Sequence, residues 1–433
     1  VPMLLTGETY APSPDKARQD SNDEAWKTIR EDFEFAANVL DWTPAKGENG
    51  RFTKGAALAY AAKAAMYMKD YATAEKYYEQ VYNNSHHDLD PVFAMTSWRD
   101  NPWQSESLFE IAYPEFASMS SPWSYRMNDD LQFFCKQRQP REYGGWGDTY
   151  TSFELVRSYE PGDKRKVYSV VGWDAQPGEK GDINPFTGQA IGNTDDFQHH
   201  WLPTAEYQPN NHMIKWWKES TGYMYSSYSL NAYRYGGMLI DYAECLFRNG
   251  KAPKAWGILD ELRNRAWGNL EVGYNPNAVS NSKFEFPVEM LNTAKVAVPS
   301  AETYYTQYKA AKGYTSEAWM VALFQERRKE LYAEHTLWYD MTRCEFVEEW
   351  LKCEYPKNGG ATYYNTVTGK YYVPTGNDRN QPWTDASPAE RAQMIPVLPR
   401  DWDWNPIHLV YPIPVSELTA NKLMVQNEGY ASE

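Results

Sequence analysis

Residues 58–81 read LAYAAKAAMYMKDYATAEKYYEQV and residues 239–262 read LIDYAECLFRNGKAPKAWGILDEL, and the second stretch lies on the first without a gap. Leu58 falls on Leu239, Ala62 on Ala243 and Met66 on Phe247. Further along, Ala74 falls on Ala255, Tyr77 on Ile258, Tyr78 on Leu259 and Val81 on Leu262. Each copy is a pair of segments with apolar residues at helical spacing. A short polar break separates them, Lys69-Asp70 in one copy and Asn249-Gly250 in the other. The small side chains of Ala74 and Ala255 let the second helix of each pair approach the first closely.

A helix–turn–helix unit of about 34 residues with this alanine pattern is the signature of a tetratricopeptide (TPR) repeat. A third helical pair is expected from Glu317 to Glu334 and from Leu337 to Lys352. An incoming helix is expected from Ser21 to Leu40, with Ser21 or Asn22 as its N-cap. The copies are not consecutive, as those of a tandem solenoid would be. Between them, and after the second, run long stretches rich in Gly, Pro, Trp and Tyr: 86–227, 268–315 and 355–408. Loops of that length are functional or disordered, and their aromatic content argues against disorder. The helical pairs therefore read as a scaffold holding up irregular segments. The expected organisation is a helical segment at 21–85, a loop-rich ligand-binding segment at 86–227 and a TPR pair at 228–267. A loop-rich insertion at 268–315, a further TPR pair at 316–352 and C-terminal loops with a terminal segment at 353–433 complete it.

Composition narrows the function. The 433 residues carry 43 Lys+Arg against 58 Asp+Glu, a formal charge of −15, which argues against a nucleic-acid partner. No stretch approaches the roughly 18 consecutive apolar residues of a membrane-spanning helix. Trp (18) and Tyr (34) far outnumber Phe (16), an excess that suits surfaces that are partly apolar and partly wet. With 7 His and no HExxH, a metal centre is not expected, and neither is any cofactor. Asp182-Ile183-Asn184 begins like a calcium loop, but Phe186 stands at a ligand position and Thr187 at the glycine; whether calcium sits there or at Asp195-Asp196 stays open. Cys135, Cys245, Cys344 and Cys353 form no CxxC. Cys344 and Cys353 read as one helix, on opposite faces and about 13 Å apart along its axis. No GxSxG, Walker A or GxGxxG stands in a credible setting. Glu326 and Glu330, an i,i+4 carboxylate pair, read first as part of a charge-laced helix or buried ion-pair network and only second as catalytic.

The stretches Ser121-Pro122-Trp123-Ser124-Tyr125-Arg126 and Gln137–Asp148 mix basic and aromatic residues, and Gly145 and Gly147 flank Trp146. Glycines there allow turns that push a large ring into solvent. A sugar packs its C–H face on such a ring while its hydroxyls meet planar donors and acceptors. The candidate ligand contacts are Trp123, Tyr125, Arg141, Tyr143, Trp146 and Asp148, with Trp98 and Trp173 in reserve. The competing reading is that Trp123 and Trp146 pin a long loop to the scaffold.

Several separate motifs now combine. Gly50-Arg51-Phe52-Thr53-Lys54-Gly55-Ala56-Ala57 leads into the first TPR helix. Arg234-Tyr235, Leu239, Tyr242-Ala243-Glu244 and Arg263-Asn264-Arg265-Ala266 mark the next pair. Glu326-Arg327-Arg328-Lys329-Glu330-Leu331, Glu334, Trp338-Tyr339-Asp340 and Arg343 mark the third. Pro412-Ile413-Pro414, Glu417, Asn421, Leu423, Gln426-Asn427 and Gly429-Tyr430 close the chain. In this order they resemble the SusD/RagB family, the nutrient-binding surface lipoproteins of Bacteroidetes. The resemblance runs from Val1-Pro2 to Gly429-Tyr430. The sequence departs from it at His335, where the family usually has glycine, and at Leu337, where it usually has arginine.

The resemblance implies an all-α, SusD-like body in which non-consecutive TPR pairs carry long loop-rich ligand-binding insertions. It implies binding without catalysis. It also implies a lipid-anchored lid on a SusC-like TonB-dependent transporter at the extracellular face of the outer membrane, capturing an oligosaccharide or, in some branches, a peptide. Leu5-Thr6-Gly7 is followed by Glu8 where a lipoprotein box needs cysteine. The anchor and the early helices of the family are therefore expected upstream of Val1. The ligand contacts above are chosen on physical grounds and are not carried over from the family. Three rival readings make separate predictions. A peptide binder of the same fold survives loss of Trp123 and Trp146, a glycoside hydrolase releases product through a carboxylate, and an intracellular TPR adaptor is found in cytosol.

Overall fold

Two turns of backbone show why the repeat is structural. In a computed structural model of the chain, helix α1 is Asn22–Val39, α2 is Lys54–Tyr67 and α3 is Tyr71–Tyr82. At the end of α2, Lys69 takes a left-handed conformation (φ 60), and the Asp70 amide donates to the Ala65 carbonyl at 2.9 Å. In the second copy Gly250 does the same (φ 74), and the Lys251 amide donates to the Leu246 carbonyl at 2.8 Å. These are aligned positions, so both pairs use the same helix-ending turn.

The structure describes residues 17, 21–97, 103–111, 151–171, 212–213, 230–275, 290–334, 336–361, 363–365, 367–373, 387–391, 393–397 and 400–430. The remaining described helices are α4 (Phe153–Ser158), α5 (Arg165–Ser169), α6 (Tyr235–Arg248), α7 (Ala252–Ala266), α8 (Ala301–Lys312), α9 (Ala318–Glu330), α10 (Leu337–Arg343) and α11 (Val347–Glu354), with two short ones near the C-terminus, Pro388–Arg391 and Val415–Ala420. The strands are few and short: β1 (Ser107–Ile111) pairs antiparallel with β2 (Leu230–Arg234), and small two- and three-stranded sheets lie elsewhere. The fold is therefore mainly helical, as the sequence suggests. None of the described helices is long and apolar enough to cross a membrane.

Local chemistry sets the helix starts. Ser21 caps α1 by accepting the Asp23 amide at 3.0 Å, and Asp23 and Glu24 sit in its first turn where the helix dipole favours them. Thr53 caps α2 through the Ala56 amide, and Asp70 caps α3 through the Thr73 amide. The run Ala56-Ala57-Leu58-Ala59 and the alanines that follow are buried almost all round, which marks α2 as an inner helix. Helix α6 is buried from Tyr235 to Phe247 and packs between α3, α7 and α9. Ala74 and Ala255 are both fully buried at the close approaches.

The third pair differs from its expectation. Cys344 and Cys353 do not share a helix: α10 ends at Arg343, and Glu345 turns left-handed (φ 56) before α11 begins at Val347. The break lets Phe346 stack on Phe324 (ring centroids 4.7 Å) and on Tyr314 (5.8 Å), a burial that a continuous helix would forfeit. Both cysteines are free thiols. Within the stretch read as the loop-rich insertion 268–315, residues 301–312 are helical.

Charge holds the helices in register. Glu326 and Glu330 are fully buried, which favours the network reading over the catalytic one. Glu330 accepts from Arg234 at 2.6 Å, from Arg165 at 3.1 Å and from Arg265. Glu326 accepts from Arg165 at 2.8 Å, Arg263 at 3.1 Å and the Tyr305 hydroxyl at 2.5 Å. Burial alone would raise the Glu326 carboxyl, but Arg165, Lys329 and Arg263 bring it down to about 2. A second network joins Lys63 to Asp241 at 2.9 Å and Asp340 at 3.1 Å, with Arg327 bridging the same two carboxylates. Glu244 completes it between Arg327 and Arg343, whose charges outweigh burial and hold its carboxyl at about 2. Each carboxylate meets several guanidinium or ammonium donors, the condition under which buried ions are tolerated.

Candidate functional site

Three sequence-distant segments meet at a cleft of about 340 Å³ beside the start of α2. The first is the loop 42–53 between α1 and α2, whose ends are tied by the Lys54 amide donating to the Asp41 carbonyl at 2.8 Å. Gly47 (φ 85) and Gly50 (φ 88) take left-handed turns that fold this loop back on itself. Trp42 opens the loop, and its ring lies parallel to that of His86 (centroids 6.2 Å, interplanar 13°). Asn49 and Arg51 also line the cleft, and the exposed Arg51 guanidinium lies 3.4 Å from Glu48.

His86 and His87 form the second segment. His87 is buried, and its Nδ1 lies 3.3 Å from the Ser105 carbonyl, which only accepts, so Nδ1 carries the proton. Burial pushes the His87 imidazole below its ordinary value. Its other nitrogen is packed against Gly55, where an added Cβ would fall 2.4 Å from it, so the glycine makes room for the ring. The two histidines thus serve different ends, one stacked at the rim and one neutral in the wall.

Trp103 to Glu110 form the third. Trp103 projects its indole over Gly50, where a Cβ would sit 3.2 Å from the indole nitrogen. Its amide donates to the Glu110 carboxylate at 2.7 Å. Gln104, Ser105 and Ser107 add polar lining. Beneath the cleft, Phe52 packs on Phe109 at 4.4 Å and on Phe33 at 5.8 Å, with Tyr60 against all three. The platform is therefore backed by packed rings.

The site combines exposed or half-exposed rings with amides and hydroxyls. That pairing can bind a flat, hydroxylated ligand. Among the described residues no group of three or more His, Cys, Asp or Glu is placed to hold a metal ion. The sequence-chosen contacts Trp123, Tyr125, Arg141, Tyr143, Trp146 and Asp148, the reserves Trp98 and Trp173, and the acidic loops at Asp182 and Asp195-Asp196 lie outside the described residues. Sequence reasoning did not single out Trp42, Trp103, Asn49 or Gln104. A signal existed in Trp42 followed by Pro44, Gly47 and Gly50, a turn-rich loop with a ring at its base.

Fold and cleft together define a helical-repeat scaffold that presents an aromatic, polar binding surface. The sequence model of the SusD family matches residues 105–430, and the chain belongs to that family. Solved structures agree on the fold. A SusD superfamily protein from Bacteroides vulgatus superposes with a TM-score of 0.61 at 19% identity, over 99% of this chain and 73% of that one. A SusD-like carbohydrate-binding protein from Bacteroides fragilis gives 0.61 at 20% identity, over 98% of this chain and 75% of its own. Surface glycan-binding protein A from Bacteroides uniformis gives 0.53 at 18%, over 99% and 72%. A search of curated proteins finds no match.

Proposed function

We propose that the protein is a non-enzymatic cell-surface receptor for an oligosaccharide or polysaccharide, which it captures and delivers to a SusC-like TonB-dependent transporter. In this reading it sits at the extracellular face of the outer membrane, held by a lipid anchor. The carrying observation is the cleft, where Trp42 and Trp103 stand beside Asn49 and Gln104. Rings take the C–H face of a pyranose and amides take its hydroxyls, with no shifted pKa required. The names of two structural relatives, one carbohydrate-binding and one surface glycan-binding, support the same reading. Trp123, Tyr125, Arg141, Tyr143, Trp146 and Asp148 are further ligand contacts in this proposal, chosen from the sequence alone.

Affinity electrophoresis in gels containing plant, microbial and host polysaccharides tests it. The expected result is retardation by at least one polymer, weakened by Trp103→Ala or Trp146→Ala without a change in melting temperature. Migration unaffected by every polymer would overturn glycan capture, and peptide pools would be the next screen. Co-purification with the transporter from outer membranes tests delivery separately.

A further inference from the structure

The sequence holds three Asn-Gly steps, Asn49-Gly50, Asn249-Gly250 and Asn358-Gly359, and their surroundings differ. At such a step the glycine amide nitrogen, with no side chain to shield it, can attack the side-chain carbonyl carbon of the asparagine. A C–N bond forms, ammonia leaves with the amide proton, and a five-membered succinimide results. Water then opens the ring at either carbonyl, giving aspartate or isoaspartate, whose main chain runs through the former side chain. The asparagine side chain has to swing onto the following amide, so whatever fastens it slows the reaction.

Two of the three are fastened. Asn249 ends α6, where its side-chain nitrogen donates to the Tyr71 carbonyl at 3.0 Å and to the Glu75 carboxylate at 2.7 Å. The Gly250 amide is also engaged, donating to the Phe247 carbonyl at 3.1 Å. Asn358 is buried; its side-chain oxygen accepts the Arg400 amide at 2.8 Å and its nitrogen donates to the Ala361 carbonyl at 3.1 Å. Asn49 is different. It is exposed, in a turn closed by the Arg51 amide donating to the Glu48 carbonyl at 3.3 Å. Among the described residues, neither its side chain nor the Gly50 amide has a hydrogen-bond partner.

We propose that Asn49-Gly50 is a self-modification site, at which the chain converts its own Asn49 to aspartate and isoaspartate and thereby remodels the wall of the cleft. The consequence follows from what rests on this turn. Gly50 (φ 88) carries the Trp103 indole, and a Cβ placed on it would fall 3.2 Å from the indole nitrogen. Isoaspartate lengthens the main chain by one carbon immediately before Gly50 and so shifts that seat. Asn49 itself lines the cleft, and both products replace an amide that donates and accepts with a carboxylate that only accepts. The inference concerns the wall and holds whichever ligand the cleft takes.

The test ages the purified protein in warm, mildly alkaline buffer and follows the three steps by peptide mass mapping, with enzymatic methylation marking isoaspartate. Asn49 is expected to convert about tenfold or more faster than Asn249 and Asn358, because releasing either fastened side chain breaks two hydrogen bonds. In urea, where none is fastened, the three rates are expected to converge. Native rates that are equal at all three steps, or slowest at Asn49, overturn the site. A lead for Asn49 that persists unchanged in urea overturns the structural cause and assigns the rate to local sequence. For the wall, tryptophan emission is expected to change in step with conversion at Asn49. In Asn49→Gln, whose longer side chain closes a ring far more slowly, the emission should hold constant over the same period, and Trp103→Phe should convert without the change. Emission that stays constant through complete conversion of the wild type overturns the remodelling and leaves the modification site standing.

Discussion

Replacing Glu330 by Gln removes one charge from the centre of the larger ion network while changing the side-chain shape little. Glu330 is fully buried, and its two oxygens face Arg165, Arg234 and Arg265, each no more than 1% exposed. Burial would raise its carboxyl, yet these three guanidiniums hold it well below the usual carboxylate range. In Glu330→Gln an amide NH₂ faces guanidinium donors, and three buried cations lose a shared counter-ion. Breaking a buried pair in this way costs about 3–5 kcal/mol. Glu106, Glu334 and Glu326 still neutralise part of the cluster, which favours the lower figure, about 3 kcal/mol. At about 2.1 cal/mol/K per residue, the 433 residues give an unfolding entropy near 0.9 kcal/mol/K, so Tm should fall by roughly 3–5 °C. The control is Glu348→Gln, which removes an exposed partner of Lys352 (51% and 61% exposed) and should shift Tm by well under 1 °C. Differential scanning calorimetry at pH 7 measures both. A Glu330→Gln midpoint within 1 °C of wild type, indistinguishable from the Glu348→Gln control, would refute the claim that this network fastens the helices.

Asp90 is pushed up to about 7 by burial and then by the neighbouring Glu106 carboxylate. A carboxyl raised on folding contributes stability that is full below its ordinary value near 4 and lost as pH rises through 7. Asp90→Asn should therefore flatten the stability profile between those limits and leave the variant more stable than wild type at pH 8; a parallel profile in chemical denaturation would contradict this. Glu244 and Glu326, held at about 2, act in the opposite sense, giving stability present above the ordinary carboxylate value and lost as pH falls through 2. Glu326→Gln should accordingly weaken the pH dependence of acid unfolding. Lys69 pays for a left-handed turn that its aligned partner Gly250 adopts freely, so Lys69→Gly should stabilise the protein by about 0.5–1 kcal/mol in urea titration. Burial and the charge of Glu244 raise the Cys344 thiol to about 12, and Cys245 is buried. Of the three described cysteines, the partly exposed Cys353 should react fastest with a thiol reagent at pH 8, and Cys353→Ser should remove that fast phase.

What could be read from the chain differs by element. The two repeat pairs were legible because their packing faces carry helical spacing and their tightest contacts demand Ala74 and Ala255, both visible as residue types. The cap at Ser21 was legible for the same local reason. Helix α8 was missed because its burial rests on Ala301 and Tyr305, with too few apolar positions to show a period. The break between α10 and α11 was missed because its gain is tertiary: Phe346 meets Phe324 and Tyr314 only once the chain has turned at Glu345. The charges at Glu326 and Glu330 were recognised as a network, but their partners Arg165, Arg234 and Arg265 come from distant segments that no spacing joins. The cleft escaped for the same reason, being built where Trp42, His86 and Trp103 converge only in space.

The Lys63 network also orders the folding of the chain. Lys63 lies 178 positions before Asp241 and 277 before Asp340. Contacts of that sequence separation need long loops to close first, so they form late. Helix α2 can form locally, but its half-buried lysine stays hydrated until α6 and α10 dock against it. The inner helix is therefore settled by segments far along the chain, and not by its own residues.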